Sequence, residues 1–212
     1  MKALIIGATG ATGRDIVNLL LKNTSYSEVV TFVRRKSDIS HPKLAEIITD
    51  FNNLEAISDF IKGDVLFSCL GTTLKAAGSK ENQRIIDFDI PLNFAQIAKR
   101  NGIQKVVLLS AYGASPNSNV FYSKLKGELE ERITDLVFPT CIIFKPGLLL
   151  RKNTDRMGEK ISANLLRFMN SIGLFRKFQP LPTSTLAEKL VKASIILKGE
   201  KHVIELDKIF KF

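Results

Sequence analysis

Apolar residues in this chain come in short runs that alternate with segments of helical spacing. Lys2 to Ile6 is an apolar run that stops at Gly7, and from Thr12 to Lys22 the residues Ile16, Leu19 and Leu20 share one helical face. Val29 to Val33 is β-branched and apolar, while Glu46 to Thr49 and Val65 to Leu70 read as third and fourth strands. Lys80 to Arg100 carries Ile85, Ile86, Phe88, Leu92, Phe94, Ala95 and Ala98 as a long helix, kinked or broken at Pro91 and stopped by Asn101-Gly102. Lys105 to Leu109 is the next strand. A polar loop, Ala111 to Ser118, leads into a helix from about Asn119 to Thr134 and a strand from Thr140 to Phe144. Beyond Lys145-Pro146-Gly147 the pattern is irregular, with helices near Glu159 to Asn170 and Ser184 to Leu197 and a final strand near His202 to Leu206.

Strands alternating with helices predict a parallel sheet covered on both faces, right-handed crossovers, and ligands at the carboxyl ends of the strands. The expected fold class is α/β, a Rossmann-type doubly wound parallel sheet with a small C-terminal capping region. The 212 residues predict one domain, with 1–150 as a cofactor-binding core and 151–212 as a dependent substrate-side cap. No internal repeat, low-complexity tract or long linker marks a second domain.

Composition narrows the function classes. At 45% hydrophobic and 25% charged the chain is ordinary globular protein, which excludes disorder, collagen and coiled coil. No apolar run approaches the roughly 18 residues of a membrane span, and the first is too brief for a secretory signal, so no membrane is expected and cytoplasm is the default location. The net charge of +10 is uneven: residues 101–212 hold 18 basic against 10 acidic side chains. Lys145, Arg151, Lys152, Arg156, Lys160, Arg167, Arg176 and Lys177 face only Asp155 and Glu159, as an anionic ligand or a solvated basic face would require. Nucleic acid is not expected: there is no Trp, no zinc spacing and no basic run interleaved with aromatics.

Gly7-Ala8-Thr9-Gly10-Ala11-Thr12-Gly13 spells G-x-x-G-x-x-G between the first strand and the first helix. Gly7 permits the tight turn, Gly10 lets backbone approach a pyrophosphate, and Gly13 lets the helix lie close to the strand with its N-terminal amides toward the phosphates. About 20 positions on, a site for NAD(H) needs a carboxylate for the ribose 2′-hydroxyl. The second strand instead ends Val33-Arg34-Arg35-Lys36, and guanidiniums there suit a 2′-phosphate, so NADP(H) is favoured over NAD(H). Asp50, after the third strand, reads as a partner for the adenine amine or as a helix N-cap.

Tyr122 and Lys126 are four apart on a predicted helix and share a face, and Ser110 ends the preceding strand. A carbonyl taking up hydride needs a proton donor, and a tyrosine serves better beside an ammonium that stabilises its phenolate. Ser110 would hold the carbonyl oxygen. His41 and His202 are the only histidines and the two cysteines are too few for a zinc site, so no metal is expected. Cys69 and Cys141 fall on strands separated by another and are expected to be reduced. Phe168, Phe175 and Phe178, with Leu165, Leu166 and Met169, read as core or as a substrate-pocket lining.

The chain resembles the atypical short-chain dehydrogenases/reductases, and most of all their Tat-interacting-protein-like branch. The residues concerned are Gly7 to Arg14, Arg34-Arg35-Lys36, Cys69-Leu70-Gly71-Thr72-Thr73, Leu108-Leu109-Ser110, Phe121-Tyr122, Lys126-Gly127-Glu128 and Lys145-Pro146-Gly147. The resemblance implies that Gly7, Thr9, Gly10 and Gly13 bind the cofactor's phosphates, Arg34 and Arg35 its 2′-phosphate, and Leu70, Gly71 and Thr72 the region of its nicotinamide ribose. It implies Tyr122 and Lys126 as the catalytic pair, contacting cofactor as well, with Ser110 third. Lys145 departs from the branch, which usually has Arg before Pro-Gly. Two functions follow: an NADP(H)-dependent reductase of a small carbonyl, or a binding module that senses NADP(H) and signals to a protein partner. The short chain speaks against a nucleotide-sugar epimerase, and oligomeric state has no signature in the sequence.

Overall fold

The computed structural model describes residues 1–150 and 179–212. Seven parallel strands form the central sheet: β1 (Lys2–Ile6), β2 (Glu28–Val33), β3 (Leu44–Ile48), β4 (Val65–Ser68), β5 (Lys105–Leu109), β6 (Thr140–Lys145) and β9 (Lys201–Glu205). Their order is β3-β2-β1-β4-β5-β6-β9. A small pair, β7 (Leu149–Leu150) with β8 (Leu181–Pro182), lies outside it. The helices are α1 (Ala11–Lys22), α2 (Leu74–Ala77), α3 (Lys80–Arg84), α4 (Ile90–Arg100), α5 (Phe121–Asp135), α6 (Thr183–Ile196) and α7 (Asp207–Lys211).

The strands are apolar at nearly every position because both faces of the sheet are covered. Ala3, Ile5, Val29, Phe67, Val107 and Ile142 point to one core with α1 and α6. Their neighbours Leu4, Ile6, Val30, Leu66, Val106 and Ile143 point to the other, with α4 and α5. The Rossmann-type fold is therefore as expected.

The C-terminal region contributes more to the core than a cap would. β9 pairs in parallel with β6, and α6 packs against α1, where Thr183 Oγ1 donates to Asp15 Oδ2 at 2.7 Å. The irregular pattern hid this because a parallel partner so distant in sequence leaves no local signal. The expected helix at Glu159 to Asn170, most of the basic cluster (Arg151 to Lys177) and the apolar group Leu165 to Phe178 lie outside the described residues.

The long helix breaks where Pro91 predicts. Between α3 and α4 the residues Ile85–Asp89 form one π turn, in which the Ile90 amide donates to the Ile85 carbonyl. Pro91 has no N–H for the carbonyl four residues back, that of Asp87, and its ring crowds that carbonyl; a wider turn relieves both. The far end stops at Gly102, at φ +85°, whose amide returns to Lys99 O.

Candidate active site

Strand order reverses between β1 and β4, and a crevice opens at their carboxyl ends as such a reversal requires. Gly7 sits there at φ +83°, and a Cβ on it would lie 2.5 Å from the Cys69 carbonyl carbon. A Cβ on Gly13 would lie 2.1 Å from Gly7 O, so α1 rests directly on the turn. A Cβ on Gly10, by contrast, meets only Gly7 O at 3.3 Å. α1 has no side-chain cap and no acidic residue in its first turn, which leaves its N-terminal end suited to an anion.

A cavity of about 630 Å³ joins this turn to the other expected residues. Gly10, Ala11, Thr12 and Gly13 form one wall; Leu70, Gly71 and Thr72 a second; Ser110, Tyr122 and Lys126 a third. Tyr122 stands in the first turn of α5 and is 38% exposed. One turn on, Lys126 is 2% exposed, with Nζ 6.0 Å from the Tyr122 ring centre and 3.1 Å from the Leu70 carbonyl oxygen, to which it donates. Burial pushes its ammonium pKa down, and its acidic neighbours, Asp87 first, oppose that shift. Gly127 lets α5 lie against the loop that precedes it: a Cβ there would lie 2.2 Å from the Ser115 carbonyl carbon.

Ser110 is near the pair but differently committed. Its hydroxyl donates to Glu130 Oε1, while Lys145 Nζ donates to Glu130 Oε2 and Ala114 O, each at 3.1 Å. In this arrangement the Ser110 proton is engaged by a carboxylate paired with Lys145. Ser110 offers lone pairs to the cavity.

A second opening of about 420 Å³ lies beside the glycine turn, lined by Thr9, Arg14, Arg35 and Lys36 together with Asp38 and Glu46. Glu46 is occupied in accepting from the Ser37 amide. Thr31 also lines this opening, and its buried hydroxyl has no hydrogen-bond partner among the described residues. Arg34 is exposed and outside this lining. Asp50 is not brought to either cavity: its carboxylate accepts from Asn52 N at 2.9 Å and Asn52 Nδ2 at 3.0 Å, so it caps a turn.

Sequence reasoning missed Asp87, Gln83, Glu130 and, as a cavity residue, Arg14. Arg14 had a signal, since it directly follows Gly13. Asp87 and Gln83 had none, because each reaches Thr72 in a loop, fifteen and eleven residues back in the chain respectively. The histidines serve turns, His41 Nδ1 accepting from Lys43 N and His202 Nε2 lying 2.7 Å from Gly199 O. Both cysteines are free thiols. Among the described residues no cluster of His, Cys, Asp or Glu is placed to hold a metal, and no helix is long and apolar enough to cross a membrane.

The glycine turn at the topological switch and the open backbone at Gly10 suit a nicotinamide dinucleotide, and the fold is that of the short-chain dehydrogenases/reductases and their epimerase relatives. The chain belongs to the NAD(P)H-binding family, whose model matches residues 7–134. It is 32% identical to "Protein FMP52-1, mitochondrial" of Scheffersomyces stipitis over 97% of this chain and 94% of that one. It is 33% identical to "Protein FMP52, mitochondrial" of Saccharomyces cerevisiae over 85% of this chain and 80% of that one. Among solved structures, a short chain dehydrogenase family protein from Francisella tularensis superposes with TM-score 0.66 at 19% identity, covering 96% of each chain. MoeE5 in complex with UDP-glucose and NAD superposes with TM-score 0.73 at 14% identity, covering 97% of this chain and 76% of that one. These structural likenesses are of fold. The names of the sequence relatives overturn the expected cytoplasmic location, which rested only on the lack of a recognisable signal.

Proposed function

We propose that this protein is an NADP(H)-dependent oxidoreductase that reduces a small carbonyl compound, with Tyr122 as proton donor. The observation that carries this reading is the buried Lys126 ammonium beneath the Tyr122 ring, in the same cavity as the glycine turn. Gly7, Thr9, Gly10 and Gly13 would hold the phosphates, and Leu70, Gly71 and Thr72 the nicotinamide ribose. Arg34 and Arg35, joined by Arg14 and Lys36, would meet the 2′-phosphate and set the preference for NADP(H).

When bound, the nicotinamide supplies a hydride to the carbonyl carbon. The Tyr122 hydroxyl gives its proton to the carbonyl oxygen as that oxygen gains charge, completing an alcohol. Lys126 stabilises the phenolate left behind, its buried ammonium lying against the Tyr122 ring. Leu70, Leu74, Leu109, Val120 and Phe121 make much of the cavity wall apolar, which suits a substrate with little charge of its own. The chain would act as one domain, with residues 1–150 holding the cofactor, and like its relatives in a mitochondrial compartment.

A second reading, an NADP(H) sensor acting through a protein partner with little turnover, draws on the engagement of Ser110 by Glu130. NADPH oxidation in a panel of aldehydes, ketones, quinones and flavins separates the two. Reduction of one aldehyde or ketone supports the enzyme; tight NADPH binding with no oxidation of it supports the sensor.

A further inference from the structure

Strands β2 and β3 are parallel, and residues 34–43 join them without forming a helix. Parallel neighbours are usually joined by about a dozen residues or more that include one. The short connection leaves Arg34, Arg35 and Lys36 exposed, with Ser37 half-buried directly after them. Ser37, Arg35 and Lys36 line the second opening, and Arg14 reaches it from α1. The Ser37 amide donates to Glu46 at 3.1 Å, and its hydroxyl accepts from the Ile39 amide at 3.2 Å.

Arg34-Arg35-Lys36-Ser37 is the one place in the chain where arginine stands both two and three residues before a serine or threonine. Paired guanidiniums at that spacing suit the acidic pocket of a serine kinase that selects its substrates by basic charge. The cations beside Ser37 are also those that the cofactor's 2′-phosphate would meet. A phosphoserine carries the same chemical group, a phosphate monoester of charge about −1.5 to −2 with three acceptor oxygens. One set of cations cannot neutralise both.

We propose that Ser37 is a phosphorylation site whose phosphate takes the cations of the second opening in place of the cofactor's 2′-phosphate, so that modification weakens NADPH binding and spares NADH binding. This rests on the proposed reading of that opening as the 2′-phosphate site. The phosphoryl donor is ATP, used by a kinase that selects basic segments. The bond from the γ-phosphorus to the β,γ-bridging oxygen breaks, a bond from the γ-phosphorus to Ser37 Oγ forms, ADP leaves, and the hydroxyl proton passes to the kinase's base. The charged groups around the phosphate are Arg35, Lys36 and Asp38 from its own loop, Arg14 from α1 and Glu46 from β3. Three cations against two carboxylates favour an anion there, and Glu46 is already engaged by the Ser37 amide.

Ser37→phosphoserine, introduced into the whole chain during its synthesis, tests the consequence. By calorimetry its NADPH affinity should fall about tenfold or more below the parent's, the scale of one charged hydrogen bond. Its NADH affinity should stay within about threefold of the parent's, since NADH brings no phosphate to this opening and more distant charge is screened. An unchanged ratio of the two affinities overturns the proposal. Incubating the parent with ATP, magnesium and the catalytic subunit of the cyclic-AMP-dependent kinase tests the site. One phosphate should appear on Ser37 by peptide mass spectrometry and be absent from Ser37→Ala. Saturating NADPH should slow that labelling and NADH should not, because the competition is reciprocal. Labelling confined to other residues, such as Thr154 after Arg151-Lys152-Asn153, overturns the proposal.

A third arm needs no cofactor. The phosphate of Ser37→phosphoserine can be titrated by phosphorus NMR, its second pKa being about 6 when unperturbed. Its midpoint should lie about half a pH unit or more lower than in the same protein carrying Arg14→Met, because Arg14 is brought near only by the fold. Equal midpoints would show that the phosphate does not reach α1 and would overturn the proposal. If the parent binds NADPH no better than NADH, the 2′-phosphate reading falls by itself, and the titration still reports whether a phosphate on Ser37 meets those cations.

Discussion

The Ser110 hydroxyl donates to the Glu130 carboxylate, and Lys145 grips the other oxygen of that carboxylate at 3.1 Å. This joins the ends of β5 and β6 to the middle of α5, one turn beyond Lys126. Removing Glu130 should therefore harm the fold more than the chemistry. Glu130→Ala leaves a half-buried Lys145 ammonium without its partner and should cost about 1 to 3 kcal/mol in urea unfolding. Ser110→Ala should leave turnover within about threefold of the parent, far less than a lost proton donor would cost. A fall of a hundredfold for Ser110→Ala would instead mark it as an oxygen-holding donor.

The charge around the second opening predicts cofactor choice. Arg35, Arg14 and Lys36 line it, and its Glu46 is engaged by Ser37. NADPH should bind more tightly than NADH, and replacing Arg34 and Arg35 together with Ala should remove most of the difference, at about 1.5 to 3 kcal/mol per charged hydrogen bond lost. Calorimetric titration measures this. Equal affinities of the parent for the two cofactors would refute the preference.

Glycine substitutions should divide into two kinds. Gly13→Ala drives a methyl to 2.1 Å from Gly7 O, so backbone must move; it should cost about 1 to 3 kcal/mol and abolish NADPH binding. Gly71→Ala meets only Lys126 Nζ, at 3.7 Å, and should fold normally while weakening NADPH binding by narrowing the cavity. Melting curves with and without NADPH distinguish them.

The thiols should be reduced and inert. Cys69 follows β4, Cys141 lies in β6, and β5 runs between. Two strand spacings are about 9.6 Å, beyond the roughly 7 Å that a disulfide tolerates between Cα atoms. Burial pushes the Cys69 thiol up to about 12 and Cys141 to about 11. Both should therefore ignore a thiol reagent at about pH 8 and react fully once the chain is unfolded. The buried Tyr26, which hydrogen-bonds Ser194, is also pushed up to about 12. All three shifts favour the neutral folded form, so stability present below about pH 8.5 should decline as pH rises toward about 12, first through the thiols and then through Tyr26. Urea midpoints across that range give the sign.

What was legible in the sequence was what a single segment encodes. The glycine turn lies in seven consecutive residues, and Tyr122 with Lys126 on one helical turn, so spacing sufficed. The sheet followed from strands apolar on both faces. β3 was read two residues late because it is a half-exposed edge strand with no clear alternation. β4 was read two residues long because the apolar run continues past Ser68, where the chain already turns beneath Gly7. The roles of Asp87 and Glu130 and the pairing of β9 with β6 were not legible, since each depends on a partner brought near only by the sheet.

The central claim is that Tyr122 delivers a proton under the charge of Lys126. Once the panel has supplied a carbonyl substrate, the direct measurement is NADPH oxidation by Tyr122→Phe beside the parent, with NADPH affinity measured on both. Turnover should fall by about 10² to 10⁴-fold with affinity little changed, since only a hydroxyl is removed. A Tyr122→Phe protein that reduces the same carbonyl as fast as the parent would contradict the claim and leave the NADP(H)-sensing reading in its place.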